Sequence, residues 1–307
     1  MDIENMLYDK NCRILPFVQK PARYIGVETN SLIKERNSIQ LSVALAFPDV
    51  YEVGMSHLGL QILYSIINSV DGVVAERCYA PWGDMEQLMR RQGIMLLSRE
   101  SQTPLRDFDV VGFSLQYELS YTNCLNMLEL GGITIRANER REEEPIIIAG
   151  GPCAYNPLPM ADFIGAFVVG EAEEAIIEIV HAVSRTKKLS RRKKLEALAK
   201  ITGVYVPAEH QKTTRITKRL LPDFASHKFP LNHIVPSLRT VHDRVVVEIA
   251  RGCTRGCRFC QAGFVWRPVR ERSVSQSKKI ACELLSATGI DELSLLSLST
   301  GDHSQID

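Results

Sequence analysis

Three cysteines, Cys253, Cys257 and Cys260, stand in a C-x3-C-x2-C pattern inside RGCTRGCRFCQAG, directly after the apolar run VVVEIA. Three thiolates on one short loop can hold three irons of a cubane iron–sulfur cluster, whereas an electron-transfer cluster takes four cysteines. The remaining iron is then open to a ligand, the same distinction that separates catalytic from structural zinc sites. Two other readings stay open at this point. A zinc site would recruit Cys282 or His242 as a fourth ligand, although structural zinc favours paired C-x2-C hooks. A thiol redox pair at Cys257 and Cys260 has suitable spacing but leaves Cys253 without a role. Cys282 itself, inside the apolar pattern IACELL, reads as a buried thiol. Arg251, Arg255, Arg258, Arg267, Arg270 and Arg272 surround the loop. One or two of them are expected to offset cluster charge or hold a carboxylate.

The elements that must position this loop follow from hydrophobic periodicity. Leu41–Phe47, Val73–Tyr79, Val110–Leu115, Ile146–Ala149 and Phe167–Val169 are apolar β-type runs. Between them lie helical patterns at LGLQILYSII, DMEQLMRR, Tyr121–Leu130 (with Ser120 as its N-cap) and, after the last strand, AEEAIIEIVHAV. Strands alternating with helices predict a parallel, doubly wound sheet, because parallel neighbours need crossover connections. Gly150 and Gly151 follow one buried strand and Gly170 the next. Ligands bind at such strand ends, and glycines there either admit a bulky cofactor or simply make tight turns. The run RTKKLSRRKK, seven basic residues in ten, closes this unit and reads as a solvated face. The expected organisation is an arm over 1–38, the doubly wound domain over 39–200, a connecting segment over 201–244 and a second domain from 245, with a helix over Ser275–Ala287 and the strand ELSLLSL.

Composition sets outer limits. The chain has 307 residues, 45% hydrophobic and 24% charged, and its 37 basic and 36 acidic side chains leave a net charge of +1. That mix excludes a disordered or fibrous chain and gives no global charge argument for nucleic acid. No run has signal-peptide or membrane-spanning character. A cytoplasmic location is the expectation, and eight cysteines in a reducing compartment read as thiols or ligands before disulfides.

With Phe259 just before its last cysteine, the loop resembles that of the radical S-adenosylmethionine (radical SAM) superfamily. The resemblance implies a full or partial (β/α) barrel beginning at VVVEIA, with a 4Fe-4S cluster on Cys253, Cys257 and Cys260. It further implies SAM chelated at the open iron, Phe259 by the adenine, and reductive cleavage of SAM to a 5′-deoxyadenosyl radical. An electron donor such as flavodoxin or ferredoxin and a substrate of unknown identity complete the implied partners, with no membrane and no nucleic acid among them. The family's second strand ends in a Gly-rich acidic motif that meets the SAM amino group. Here LSLSTGDHS offers Ser299, Thr300, Gly301 and Asp302 in that place, with STGD standing for the usual GGE; a plain turn after a strand is the alternative.

The segment GGPCAYNPLPMADFIGAFVVGEAEEAI, from Gly150 to Ile176, looks like part of the cobalamin-binding-type domain that precedes the barrel in one radical SAM branch. The resemblance spans roughly residues 40–185 and brings cobalamin into consideration, with Gly150, Gly151 and Gly170 beside it. Histidine-ligated cobalamin domains carry D-x-H-x-x-G in the first βα loop. Here Met55 and Leu60 replace the acid and the glycine around His57, which therefore reads as a helix-start or packing residue. PARYIGVETN, FPDVYEVGMSHLGLQILY and GFSLQYELSYTNCLNML place the resemblance in an uncharacterised subfamily. Cys12, Cys78, Cys124 and Cys153 do not match the methylthiotransferase spacing, which argues against sulfur transfer to tRNA.

After the loop, one helix and one strand precede Asp307, whereas the resemblance implies about six βα units. The expectation is the first part of a barrel, completed by a longer polypeptide or a separate chain. Against this enzyme reading stands a non-catalytic one, a ligand-binding α/β domain with an iron–sulfur or zinc loop.

Overall fold

The computed structural model describes residues 12–35, 38–227 and 229–306; residues 1–11 of the expected arm lie outside them. Strands β1 (Leu41–Phe47), β2 (Val73–Tyr79), β3 (Val110–Ser114), β4 (Ile146–Gly150) and β5 (Ala166–Val168) form a parallel sheet in the order β2-β1-β3-β4-β5. A sixth strand, β6 (Val204–Tyr205), adds to its β5 edge antiparallel. That strand comes from GVYVP, a short piece in the expected connecting segment. Two residues are too few for their period to reveal which edge they join.

The strands are largely apolar because both faces are covered, with buried charge at Glu76 and Arg77 of β2. Along β1, Leu41, Val43, Leu45 and Phe47 enter one core cluster with helices α2 (Leu58–Asn68) and α5 (Glu173–Thr186). Ala44 and Ala46 enter the other with α3 (Gly83–Gln92) and α4 (Tyr121–Leu130). Helices on both faces make the sheet doubly wound, as the periodicity predicts.

Local signals explain the ends. α3 stops at Gly93 in the left-handed conformation (φ +64°). Ser120, expected to cap α4, makes no side-chain cap; its hydroxyl donates to the Tyr117 carbonyl instead. The reason is a 3-10 turn over Glu118–Ser120 running straight into α4, which leaves Ser120 with helical backbone where a cap needs an extended one. Between β1 and α2 lies one further short helix, α1 (Tyr51–Gly54). The last four residues of the basic run open helix α6 (Arg191–Leu198), in which Arg192 and Lys193 pair with Glu196, while Arg191 reaches the carbonyls of Arg141 and Pro145.

The arm is fastened by buried charge. Glu28 pairs with Arg77 of β2, whose Nε also lies 2.6 Å from Glu100, and all three are buried. Arg23 and Lys20 both bond Glu52 of α1.

Beyond the sheet, β7 (Val245–Glu248) pairs in parallel with β10 (Leu293–Leu296), and helix α8 (Val274–Thr288) joins them as a βαβ unit. α8 begins with a capping box between Ser273 and Gln276 and ends at Gly289. Its Ile280, Ala281 and Leu284 pack with Val245 and Val247, and with Leu58 and Ile62 of α2. Cys282 is exposed, against the expectation of a buried thiol, because this apolar face leaves position 282 outward. Between β7 and α8, a two-residue ladder of β8 (Ala250–Arg251) with β9 (Arg270–Glu271) and the short helix α7 (Ala262–Val265) frame the cysteine loop. Among the described residues no helix is long and apolar enough to cross a membrane.

Candidate functional site

The sheet order reverses between β1 and β3, and in doubly wound sheets the crevice at the strand ends there takes the ligand. An open cavity of about 490 Å³ lies at this place, within the size range of small-molecule sites. One wall is the sheet's C-terminal edge, with Ser56, His57, Ser114 and Gln116. The other comes from the βαβ unit, with Val246, Glu248, Arg251, Gly252, Trp266 and Leu298. Gly150, Gly151 and Gly170 also line it, so the three sheet-edge glycines singled out by sequence meet at one cavity. Two of them are glycine for an internal reason as well. A Cβ on Gly170 (φ +110°) would stand 2.1 Å from the Arg219 carbonyl oxygen, and one on Gly151 (φ +98°) 2.6 Å from that of Leu115.

His57 starts α2, its Nδ1 accepting the Leu60 N–H at 3.2 Å. Its ring packs on Phe47 with centroids 5.2 Å apart. Burial pushes the imidazole down to about 4, opposed by a hydrogen bond with Gln116. The ring is thus neutral at neutral pH and committed to capping, as the failed D-x-H-x-x-G pattern suggests.

The cysteine loop has fixed ends and an exposed middle. At its start, a Cβ on Gly252 would come 2.7 Å from the carbonyls of Trp266 and Pro268, so glycine alone lets these segments approach. At its end, the Val265 carbonyl accepts from Tyr155 (3.1 Å) and Lys218 (2.9 Å). Between them Cys253 and Cys260 are partly exposed and Cys257 is exposed, all three as free thiols. Phe259 stands 93% exposed and does not line the cavity. The structure puts the thiols on one loop without gathering them. Among the described residues no three His, Cys, Asp or Glu side chains converge as metal ligands, with Cys282 or His242 included. In kind, the donors fit an iron–sulfur cluster: three free, accessible thiols on a single loop whose ends are already held.

Asp302 of the STGD turn is brought to this loop. Its carboxylate takes Arg255 Nε at 2.6 Å and the Ser299 hydroxyl at 2.7 Å. Those contacts hold its pKa below the usual carboxylate range. Gly301 has open space around it.

Periodicity missed the residues that lock the loop base. Glu171 and Glu173, both 5% exposed, meet Arg251 and Arg270. Burial would raise the Glu171 pKa, but hydrogen bonds from Arg270 and the Leu221 N–H, with the charge of Arg251, hold it below the usual range. Arg272 is also buried, its Nη1 donating to the Ala225 carbonyl and its guanidinium over the ring of Phe224 at 4.3 Å. Three of the six arginines around the loop, Arg251, Arg270 and Arg272, therefore serve its framework. The available signal was the density of acids in GEAEE and of arginines near the cysteines, which pair only in three dimensions.

A family model described as radical SAM proteins, N-terminal, matches residues 59–207. An uncharacterized protein of Methanocaldococcus jannaschii is 26% identical over 270 residues, covering 86% of this chain and 51% of its own length. Two structures of the radical SAM methyltransferase TsrM from Kitasatospora setae share the fold at a TM-score of 0.51 and 14% identity, over 85% of this chain and 48% of theirs. One of these holds tryptophan substrate and a SAM analogue, the other cobalamin and a 4Fe-4S cluster. The chain thus spans about half the length of the relatives it matches. In its N-terminal half the chain is thus similar to radical SAM proteins, and its doubly wound sheet and following βαβ unit share the fold of TsrM.

Proposed function

We propose that this chain carries the cluster and cofactor-binding half of a radical SAM enzyme, with the cavity between sheet and βαβ unit as its ligand site. The observation that carries this is the continuity of the cavity wall: Arg251 and Gly252, immediately before Cys253, line the same space as the sheet-edge glycines. In this reading Cys253, Cys257 and Cys260 hold a 4Fe-4S cluster and SAM occupies the open iron. When reduced, such a cluster supplies the electron that cleaves SAM to a 5′-deoxyadenosyl radical.

The chain's own residues bind, orient and exclude water. Phe259 closes over the adenine, and Asp302 and Gly301 meet the SAM amino group, Asp302 exchanging its exposed pairing with Arg255 for that ligand. Gly150, Gly151 and Gly170 form the floor for cobalamin. His57 stays with α2, so cobalamin is held without that imidazole. Val43, Leu45, Phe113 and Ile148 give this wall an apolar surface, which keeps water from a reactive radical. With cobalamin bound, methyl transfer of the kind TsrM performs is the matching reaction.

Anaerobic reconstitution with iron and sulfide, followed by EPR of the reduced protein with and without SAM, tests the reading against a Cys253→Ala/Cys257→Ala/Cys260→Ala variant. A cysteine-dependent signal that changes on adding SAM is the expected result. A cluster indifferent to SAM would remove the open-iron assignment for this polypeptide. Absence of any cysteine-dependent cluster would overturn the iron–sulfur reading and favour zinc.

A further inference from the structure

The cysteine loop is the connection between two paired strands, and the rung nearest the loop sets Arg251 directly opposite Arg270. Like charges facing each other across a ladder are destabilising, so this base needs an external counter-charge. It comes from the sheet. Arg270 bonds both oxygens of Glu171, Nη1 to Oε2 at 2.7 Å and Nη2 to Oε1 at 2.5 Å. Arg251 approaches the same carboxylate at 3.6 Å and reaches Glu173 at 2.5 Å and Glu248 at 2.9 Å. Glu171 also accepts the Leu221 N–H at 2.6 Å.

All of these groups are largely withdrawn from water, the arginine side chains 11% and 15% exposed and those of Glu171 and Glu173 3% and 6%. Paired charges in such a setting are strongly coupled, and removing one member leaves its partner uncompensated. Arg251 is two positions before Cys253, which ties the first proposed ligand to the loop after β5.

We infer that Glu171 and Glu173 are positioning residues for the cysteine loop, acting through Arg251 and Arg270. This rests on the iron–sulfur reading for its consequence, although the positioning itself is measurable without any metal. The same carboxylates line the cavity. A ligand seated against them therefore also bears on the base of the loop, and the coupling holds in both directions.

The test uses the full chain and three isosteric variants, Glu171→Gln, Glu173→Gln and Glu174→Gln. Glu174 pairs with Arg219 instead and serves as the local control. In metal-free protein, the rate of Cys253 alkylation by iodoacetamide, read by peptide mass and divided by that of Cys282, should rise at least threefold for Glu171→Gln. The rise should be smaller for Glu173→Gln and absent for Glu174→Gln. In reconstituted protein the same order should hold for the rate of iron loss to a chelator, with an altered EPR signature of the remaining cluster and partial rescue by Glu171→Asp. Should Glu171→Gln fail to fold by circular dichroism, Glu173→Gln alone decides, since it leaves the bidentate pair intact. An unchanged Cys253 to Cys282 ratio in folded variants overturns the inference. A wild-type chain that forms no cluster while the ratio still moves overturns the iron–sulfur reading and leaves the positioning role standing.

Discussion

Arg251 Nη2 lies 2.5 Å from Glu173 Oε1, joining the residue two before Cys253 to the first turn of α5. That contact, with the bidentate pair of Arg270 and Glu171, makes the sheet edge and the cysteine loop one electrostatic unit. The segment from Gly170 to Glu173 after β5 is therefore both wall of the cavity and anchor of the loop.

The clasp of the arm onto β2 gives a stability prediction. Arg77→Met leaves Glu28 and Glu100 buried without their shared cation, and breaking a buried pair from one side costs about 3–5 kcal/mol. Urea denaturation should show a lower midpoint, and limited proteolysis should cut the arm near Glu28. A wild-type midpoint would mean that the arm contributes nothing to the fold.

Gly170 of the sheet edge and Gly301 of the STGD turn should behave differently. Gly170→Ala places a Cβ 2.1 Å from backbone at φ +110°, and a cost of roughly 2–4 kcal/mol follows from clash plus strain. Gly301→Ala meets open space and should leave the melting temperature at wild type. Equal melting temperatures for the two variants would contradict the close approach to Arg219.

Stability should fall as pH drops from about 6.5 to about 4. Burial pushes His57 and His233 down to about 4, against hydrogen bonds with Gln116 and the Pro230 backbone that act the other way. The unfolded chain therefore binds protons near 6.5 that the folded chain refuses until about 4. Each such histidine costs roughly 3 kcal/mol to charge in place. Below about 4.5, Glu52 adds its own loss: burial would raise it, but hydrogen bonds from Arg23 and Lys20 hold it at about 2. His57→Asn keeps an N-capping side chain and should flatten part of the slope between pH 6.5 and 4. An unaltered slope in chemical denaturation across that range would show that His57 is not the titrating group.

The exposed position of Cys282 on α8 separates two readings of the metal site. Cys282→Ser should leave the metal content of reconstituted protein unchanged, whereas Cys257→Ser should lower it several-fold. Loss of metal in Cys282→Ser would restore a four-ligand zinc site.

Much of the fold is written locally. β1, β2 and the helix Tyr121–Leu130 coincide with their apolar patterns because strand and helix periods need only neighbouring residues. The cysteine spacing is likewise local, as one loop carries all three thiols. Ser120 and Cys282 show the limit: whether a hydroxyl caps or a thiol is buried depends on the preceding turn and on which helix face meets the sheet.

What the tertiary structure alone decided is the company these residues keep. Glu171 and Arg270 are 99 positions apart, and no period or spacing links them. They meet because the parallel crossovers bring the end of β5 to the base of the loop after β8. Desolvation there makes charge pairing obligatory. The cavity has the same origin, since its two walls come from segments that touch only once α2 packs against β7 and α8. The residue types and spacing of the cysteine loop fix its chemical capability, and long-range packing fixes what that loop faces.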